Sequence, residues 1–254
     1  IYAGAAQDQR IADSLLVVSQ QDEFINSPDS VKFGVYISIS RYSAKPDEVL
    51  TFGKHAKLLA DKIGRPEWIA QSDLCIGDAY RLKGDLVKAI DYYIKCANTG
   101  LLINQEKITA SAYSNMGYVY EMQNNKSQAV YYLKKSIEIY RETEETLHLC
   151  SILINLGEVY RTHGGLDSAY LYFQESMQLL QTIDAELVYA YCLGNIGLVY
   201  AEQGKTGEAE KNINEAIRIL EKFGDYYPIA VYEMELADIF KSKGVPVVTD
   251  EEDI

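Results

Sequence analysis

Three stretches of similar sequence decide the fold: YSNMGYVY at residues 113–120, LINLGEVY at 153–160 and LGNIGLVY at 193–200. Each contains a glycine that belongs to a series spaced by 40 residues: Gly77, Gly117, Gly157 and Gly197. A tyrosine follows each glycine by three residues (Tyr80, Tyr120, Tyr160, Tyr200), and an alanine follows by twelve (Ala89, Ala129, Ala169, Ala209). A period kept at three positions in four copies predicts an array of stacked structural repeats.

Each repeat divides into two helical segments joined by a short polar turn. The turns are rich in residues that tolerate a left-handed backbone: Lys83-Gly84-Asp85, Gln123-Asn124-Asn125, His163-Gly164-Gly165 and Gln203-Gly204-Lys205. The second segment has apolar residues at helical spacing, as at Ala209, Ile213, Ala216, Ile217 and Leu220. The sequence therefore predicts two packed helices, A and B, in every repeat.

The chain divides into four parts on this pattern. Residues 1–28 are predicted to form an N-terminal segment and capping helix, and residues 29–64 a degenerate helix pair. Residues 65–245 form the array with the 40-residue period, and residues 246–254 an acidic extended tail. Residues 31–42 favour a strand by propensity, but their register with the later repeats favours a helix.

Charge argues against a nucleic-acid partner. The formal net charge is −13, whereas binding to phosphate requires clustered cations. No apolar stretch approaches the roughly 18 residues of a transmembrane helix, so no direct membrane contact is expected. An acidic scaffold of this kind favours neutral or basic partners.

Neither catalysis nor metal or cofactor binding is predicted. The four cysteines are widely spaced (Cys75, Cys96, Cys150, Cys192), without a CxxC motif, and are expected to be packed thiols. The three histidines are scattered, and no nucleophile motif or phosphate-binding loop occurs. The expected role is therefore non-catalytic.

The spacing Leu153-x2-Leu156-Gly157-x2-Tyr160, followed by Ala169-x3-Phe173, resembles the tetratricopeptide repeat. The other copies match it, although Asp73 stands where a large apolar residue is usual. The resemblance implies an all-α fold, a right-handed α-solenoid of helix-turn-helix repeats. The period of 40 residues in this chain is longer than the family's commonest repeat of about 34 residues. The difference predicts helices longer than those of the common repeat.

Two interpretations of the packing follow from the resemblance. The glycine, as at Gly77, would let helix B approach near the small residue Ala89, and Tyr80 and its equivalents would fill the gap between adjacent repeats. A second series of tyrosines on helix B is expected to serve inter-repeat packing: Tyr92, Tyr132 and Tyr172.

Long repeats of this kind resemble the sensory arrays of bacterial signalling proteins of the histidine kinase or nucleotide cyclase type. The first residues, IYAGAA, are followed by polar QDQR, like the remnant of a cleaved secretory signal. This start favours an extracytoplasmic location over a cytoplasmic one. Long repeats also resemble cytoplasmic peptide-responsive regulators, and that alternative stays open.

An asparagine series follows the same period: Asn115, Asn155 and Asn195, with Cys75 in the earlier repeat. The family resemblance implies that this position of helix A lines a concave groove. An amide offers a donor and an acceptor together, so it can pair with the backbone of a bound peptide. The alternative is that these asparagines only solvate the helices.

Further residues are predicted on the same groove: Tyr118, Glu158, Arg161, Tyr191 and Arg81. They lack the clustered cations that would recognise an acidic motif. The predicted function is thus a scaffold that binds a peptide or protein in the groove. The chain would be the sensory or interaction region of a bacterial signal-transduction protein. The alternative from another class is a module that forms homo-oligomers through its end helices.

Overall fold

The computed structural model describes residues 5–242, and all regular structure in that range is helical, as predicted. The described residues form thirteen helices and divide into two compact units, one ending at Glu145 and the other starting at Thr146. None of these helices is long and apolar enough to cross a membrane. The predicted tail at 246–254 lies outside the described residues, as do the first four residues.

The first unit contains eight helices, and the last six of them form three consecutive pairs. Their bounds are α1 Ala5–Ser19, α2 Asp22–Ile25, α3 Asp29–Tyr42, α4 Pro46–Ile63, α5 Pro66–Leu82, α6 Leu86–Leu102, α7 Glu106–Met122 and α8 Lys126–Glu142. The pairs α3/α4, α5/α6 and α7/α8 each pack helix A against helix B.

The second unit contains the remaining five described helices. Their bounds are α9 Thr146–Thr162, α10 Leu166–Leu180, α11 Glu186–Glu202, α12 Thr206–Phe223 and α13 Tyr226–Ser242. The pairs are α9/α10 and α11/α12, and α13 is a further helix A that packs against α11 and α12.

Local sequence explains where these helices begin and end. Pro46 and Pro66 stand at the first turn of their helices, where a missing N–H is tolerated. The side chains of Asp85 and Asn125 cap α6 and α8 by accepting backbone N–H bonds of 3.2 and 3.3 Å. Gly64 ends α4 with a φ of 73°, a left-handed conformation that suits glycine.

The A-to-B turns share one backbone conformation at equivalent positions. The residue after the C-cap of helix A has φ of 79° at Gly84, 57° at Asn124, 74° at Gly164 and 75° at Gly204. These are the residue types that adopt a left-handed conformation at least cost. The left-handed backbone conformation of the turns therefore recurs with the same 40-residue period as the sequence.

The glycine series lies in the seam between helices A and B, but its partner differs from the one expected. A Cβ atom built on Gly77 would lie 2.5 Å from Cε1 of the Tyr93 ring, not against Ala89. The same large residue, four positions after the alanine, meets the glycine in the other repeats: Leu133, Phe173 and Ile213. Glycine is needed there because a bulky apolar side chain from helix B fills the space.

The tyrosine series pack both within a repeat and between adjacent repeats. Tyr80 stacks on Tyr92 with ring centroids 5.6 Å apart. Equivalent stacks at 5.5 Å join residues 120 with 132 and 160 with 172. Each stack joins helices A and B of one repeat. The rings of the helix-A series also meet the preceding repeat, as expected: the ring centroid of Tyr200 lies 5.7 Å from that of Tyr170, and Tyr120 packs on the cluster of Ala89 and Tyr93.

The degenerate pair α3/α4 reverses the large and small positions of the seam. Ile37 stands where later repeats have glycine, and Gly53 stands where they have the bulky residue. Phe33 and Ile37 pack with Ala56 and Ala60 in one buried cluster. This burial explains why the β-branched residues of α3 adopt a helix despite their strand propensity.

All four cysteines are free and buried, which confirms packed thiols. Burial raises the pKa of Cys75 to about 11 and that of Cys192 to about 12. Because the thiolate is the reactive form, these side chains are poor nucleophiles.

Candidate functional site

The eight predicted groove residues all lie on helices that are the first of a pair. In the first unit they are Arg81 on α5 and Asn115 and Tyr118 on α7; in the second they are Asn155, Glu158 and Arg161 on α9 and Tyr191 and Asn195 on α11.

In the first unit, Asp78 on α5 gathers three of the neighbouring polar side chains. Its Oδ1 accepts hydrogen bonds from Tyr93 Oη at 2.7 Å and from Asn115 Nδ2 at 3.1 Å, and lies 3.8 Å from Nε of Arg81. Burial raises the pKa of Asp78, while the charge of Arg81 and the Tyr93 hydrogen bond oppose that rise. The Asn115 amide is therefore used to join α5 and α7.

Arg81 also contacts the exposed ring of Tyr118. The guanidinium carbon lies 5.3 Å from the ring centroid, within range of a cation–π interaction. Tyr118 thus presents one face to Arg81 and keeps part of its ring accessible.

In the second unit, Arg161 is held between two carboxylates. It donates to Glu158 through Nε at 2.9 Å and through Nη2 at 2.5 Å, and its Nη1 bonds Glu202 on α11. Burial lowers the pKa of Arg161, but the hydrogen bonds and charges of Glu158 and Glu202 outweigh it, so the net shift is upward. This arginine is therefore neutralised within the unit and is a weak candidate for binding an anion.

Tyr191 is likewise engaged within the protein. Its hydroxyl donates to Oδ2 of the buried Asp225 at 2.5 Å, which ties α11 to the start of α13. Burial and this hydrogen bond raise the pKa of Tyr191 well above its usual value. Sequence reasoning missed Asp225, because it lies outside the conserved spacing of the repeat.

Asn155 and Asn195 are the two predicted residues whose amides are available. Both side chains are half-buried on the neighbouring helices α9 and α11, in equivalent positions of consecutive repeats. Within residues 5–242, neither side chain forms a hydrogen bond. The donors and the acceptor of each amide are therefore unpaired within the described residues.

The asparagine series continues as Glu235 on α13, 40 residues after Asn195. Burial raises the pKa of Glu235, the neighbouring Asp238 and Glu202 add to the rise, and Arg161 opposes it. Sequence reasoning passed over this residue because it is not an amide, although the period alone would have found it.

Metal binding has no geometric support in the part of the chain that the structure describes. Residues 5–242 contain no group of three histidine, cysteine, aspartate or glutamate side chains arranged to hold an ion.

Several solved structures have the same fold. BtubC (BKLC) from P. vanneervenii matches with a TM-score of 0.67 and 16% identity, over 88% of this chain and 92% of that one. Aspartyl phosphate phosphatase F from Bacillus subtilis matches at 0.70 and 13%, over 91% and 65%. A Rap protein complexed with Competence and Sporulation Factor matches at 0.68 and 12%, over 92% and 70%. At these identities the likeness shows the fold alone, and it confirms the all-α solenoid class.

Comparison with family models agrees with the structural comparison, whereas no curated protein sequence matches the chain. The family model described as "Tetratricopeptide repeat" matches residues 68–142 and 148–222, more than half of the 254 residues. The matched segments span the helix pairs from α5 to α8 and from α9 to α12. The chain belongs to the tetratricopeptide repeat family.

Proposed function

We propose that the protein is a non-catalytic scaffold that binds an extended peptide segment through the amides of Asn155 and Asn195. The family itself indicates a protein–protein interaction scaffold. The single observation that carries the finer proposal is the availability of these two amides. They occupy equivalent positions on adjacent helices, and no other side chain in the described range uses them.

The amide group suits a ligand whose backbone is read more than its side chains. Each asparagine can accept from one peptide N–H and donate to one peptide C=O, whatever residue the ligand carries there. The flanking Arg161 and Tyr191 are already paired with Glu158, Glu202 and Asp225. We assign these flanking residues to shaping the surface, not to direct contact.

Asn115 in the first unit takes a different role in this proposal. One N–H of its Nδ2 is donated to Asp78, so Oδ1 and the second N–H are left for a ligand, one donor fewer than at Asn155 and Asn195. Tyr118, with its exposed ring, is the better candidate contact on α7. The first unit would therefore present an aromatic face where the second presents amides.

The biological setting is also a proposal. A sensory or interaction region of a bacterial signalling protein fits an array of this length, and one fold neighbour, the Rap protein, was solved with Competence and Sporulation Factor. The alternative is a cytoplasmic peptide-responsive regulator. Fractionation of native cells into extracytoplasmic and cytoplasmic material separates the two settings.

A random peptide library displayed on phage provides the test. We expect selected peptides to bind the chain, and Asn155→Ala with Asn195→Ala to weaken the best peptide at least tenfold by fluorescence polarisation. Asn212→Ala is the matched control, because Asn212 lies on helix B and bonds its own backbone at Glu208. Equal affinity of the double variant and the control would refute the proposed contact.

A second candidate function, homo-oligomerisation, is favoured by one surface of α13. Tyr227, Val231 and Met234 lie four and three residues apart on one face of that helix, and they are 78%, 42% and 72% exposed. A second copy could cover this apolar face. Light scattering over a range of concentrations tests it: a mass that rises in the wild type and not in Met234→Glu supports association, and a constant monomer mass excludes it.

A further inference from the structure

A cavity of about 350 Å³ lies in the second unit, away from the asparagine series. It is formed by one face of α10, the end of α11 and the turn that leads to α12. Its lining consists of Asp167, Tyr170, Leu171, Tyr200, Gln203 and Lys205. The volume is at the small end of the range for ligand pockets, which begins near 300 Å³.

Lys205 departs from the repeat in a way that costs helix stability. At the equivalent positions Asp85 and Asn125 cap helix B by accepting a backbone N–H, whereas Gly165 has no side chain to do so. Lysine has no acceptor, so α12 begins without a side-chain cap. The Lys205 ammonium instead lies 5.4 Å from the centroid of the Tyr200 ring. Sites where a local rule is broken are often functional.

The tyrosines of the cavity also depart from the repeat. Asn212 replaces the helix-B tyrosine that would stack on Tyr200. The Tyr200 hydroxyl instead lies 3.1 Å from that of Tyr170 on the preceding helix B, and Gln174 Nε2 donates to Tyr170 Oη at 2.8 Å. No tyrosine occurs at the position of Tyr170 in the other repeats, which have Ile90, Val130 and Glu210.

A hydrogen count shows what this pair can offer. The two hydroxyls carry two hydrogens, and the bond between them uses one. Gln174 supplies its own hydrogen to Tyr170. One O–H is therefore left to donate to another group, whichever tyrosine is the donor in the pair.

Two further groups of the cavity have no hydrogen-bond or ion-pair partner within the described residues. The buried Oε1 of Gln203 forms no hydrogen bond, and exchange of the amide O and N would still leave a polar atom unpaired. The Lys205 ammonium forms no ion pair with a carboxylate of residues 5–242, and its contact is the face of the Tyr200 ring. The cavity thus combines a cation and an O–H donor with an acceptor, and Asp167 adds a carboxylate at its edge.

We propose that this cavity binds the carboxyl-terminal residue of a peptide. The terminal carboxylate would pair with Lys205 and accept the available tyrosine O–H. The Oε1 of Gln203 is fully buried, so the Gln203 side chain would turn towards the cavity to accept the backbone N–H of the same residue. An apolar side chain of the ligand would pack on Leu171, which is 64% exposed. Charge-assisted bonds of this type are the stronger class of hydrogen bond. The site is independent of the asparagine surface proposed above.

N-acetyl-L-leucine is the probe, titrated into the full chain and followed by NMR chemical shifts. We expect saturable binding, at least tenfold stronger than that of N-acetyl-L-leucinamide, which lacks the carboxylate. Lys205→Met should weaken binding at least tenfold. Lys95→Met is the matched control, because Lys95 also lies over a tyrosine ring, 4.4 Å from Tyr92, but outside the cavity.

Gln203→Met separates recognition from a purely structural role. This substitution removes a buried acceptor that has no hydrogen bond, so it should raise the melting temperature of the protein. Because the acceptor for the ligand N–H is also lost, it should weaken binding of N-acetyl-L-leucine. The proposal is overturned if the acid and the amide bind equally, or if Lys205→Met binds like the wild type. It is also overturned if the α-amide of N-acetyl-L-aspartic acid binds more tightly than N-acetyl-L-leucine, since a side-chain carboxylate would then be the ligand.

Discussion

The ring of Tyr93 fills the space that a side chain at residue 77 would need. A Cβ atom built on Gly77 lies 2.5 Å from Cε1 and 2.7 Å from Cδ1 of that ring. The ring cannot move away easily, because it is fully buried and its hydroxyl is bonded to Asp78. Helices α5 and α6 are thereby held at a separation that only glycine permits.

Gly77→Ala should therefore destabilise the first unit by about 1–3 kcal/mol, the usual cost of overpacking a core. Urea unfolding followed by circular dichroism measures it. Gly34→Ala is the control, because Gly34 lies in the interior of α3 with no heavy atom within 4 Å of an added Cβ. That substitution should stabilise the chain by about 0.5–1 kcal/mol. A Gly77→Ala protein as stable as the wild type would contradict the packing described.

The asparagines of the series should differ in their contribution to stability. Asn115→Ala removes a hydrogen bond to the carboxylate of Asp78 and should cost about 1–2 kcal/mol. Asn155→Ala removes no hydrogen bond within the described residues and should stay within about 0.5 kcal/mol of the wild type. Urea unfolding of the two variants under the same conditions makes the comparison. Equal losses would show that Asn155 also has a structural partner.

Tyr191→Phe should destabilise the second unit by about 1–3 kcal/mol, because the buried carboxylate of Asp225 would lose its hydrogen-bond donor. Tyr227→Phe is the matched control, since Tyr227 lies near the start of α13 with its ring exposed. Thermal unfolding of the two variants distinguishes them. If both melt at the wild-type temperature, the bond between Tyr191 and Asp225 contributes nothing measurable.

Asp73 should make stability depend on pH. The side chain is buried, with Lys57 Nζ 3.2 Å from Oδ1, yet Oδ1 accepts no hydrogen bond. Burial raises the pKa of Asp73 above 3.8 although the charge of Lys57 opposes the rise. An acid whose pKa is raised by folding costs stability once it ionises. This loss of folding stability is absent at a pH below the pKa of Asp73 in the unfolded chain, and it is complete at a pH above the pKa of Asp73 in the folded protein.

Asp73→Leu should accordingly stabilise the first unit at pH 7 by about 1–2 kcal/mol, since an apolar side chain of similar size replaces a buried charge. Lys57 would keep Asp61 as its partner at 3.4 Å. The gain should shrink as the pH falls towards 3.8, the ordinary pKa of the aspartate. Lys57→Met should have the opposite effect at pH 7, because it leaves the carboxylate without its cation. Urea unfolding at pH 7 and pH 4 measures both variants, and a loss of stability in Asp73→Leu at pH 7 would refute this account.

The amino-acid sequence by itself determined the helices, their pairing and the equivalence of positions between repeats. A period of 40 residues kept by Gly77 and Ala89 and their equivalents is enough for this, because each repeat must bury the same face against the same neighbour. The same period places Asn155, Asn195 and Glu235 in one series, and it identified the left-handed turns from their residue types.

Only the tertiary structure decided which atoms meet. Asp78 and Asn115 are 37 residues apart, and Tyr191 and Asp225 are 34 apart. Neither separation is a multiple of the period, so no repeat alignment pairs them. Such contacts depend on the distance and angle between helices and on the rotamers of long side chains, which a pattern of residue types does not specify. For this reason the sequence predicted a row of available polar groups, whereas the structure shows most of them bonded to other side chains of the protein and the amides of Asn155 and Asn195 without a hydrogen bond in residues 5–242.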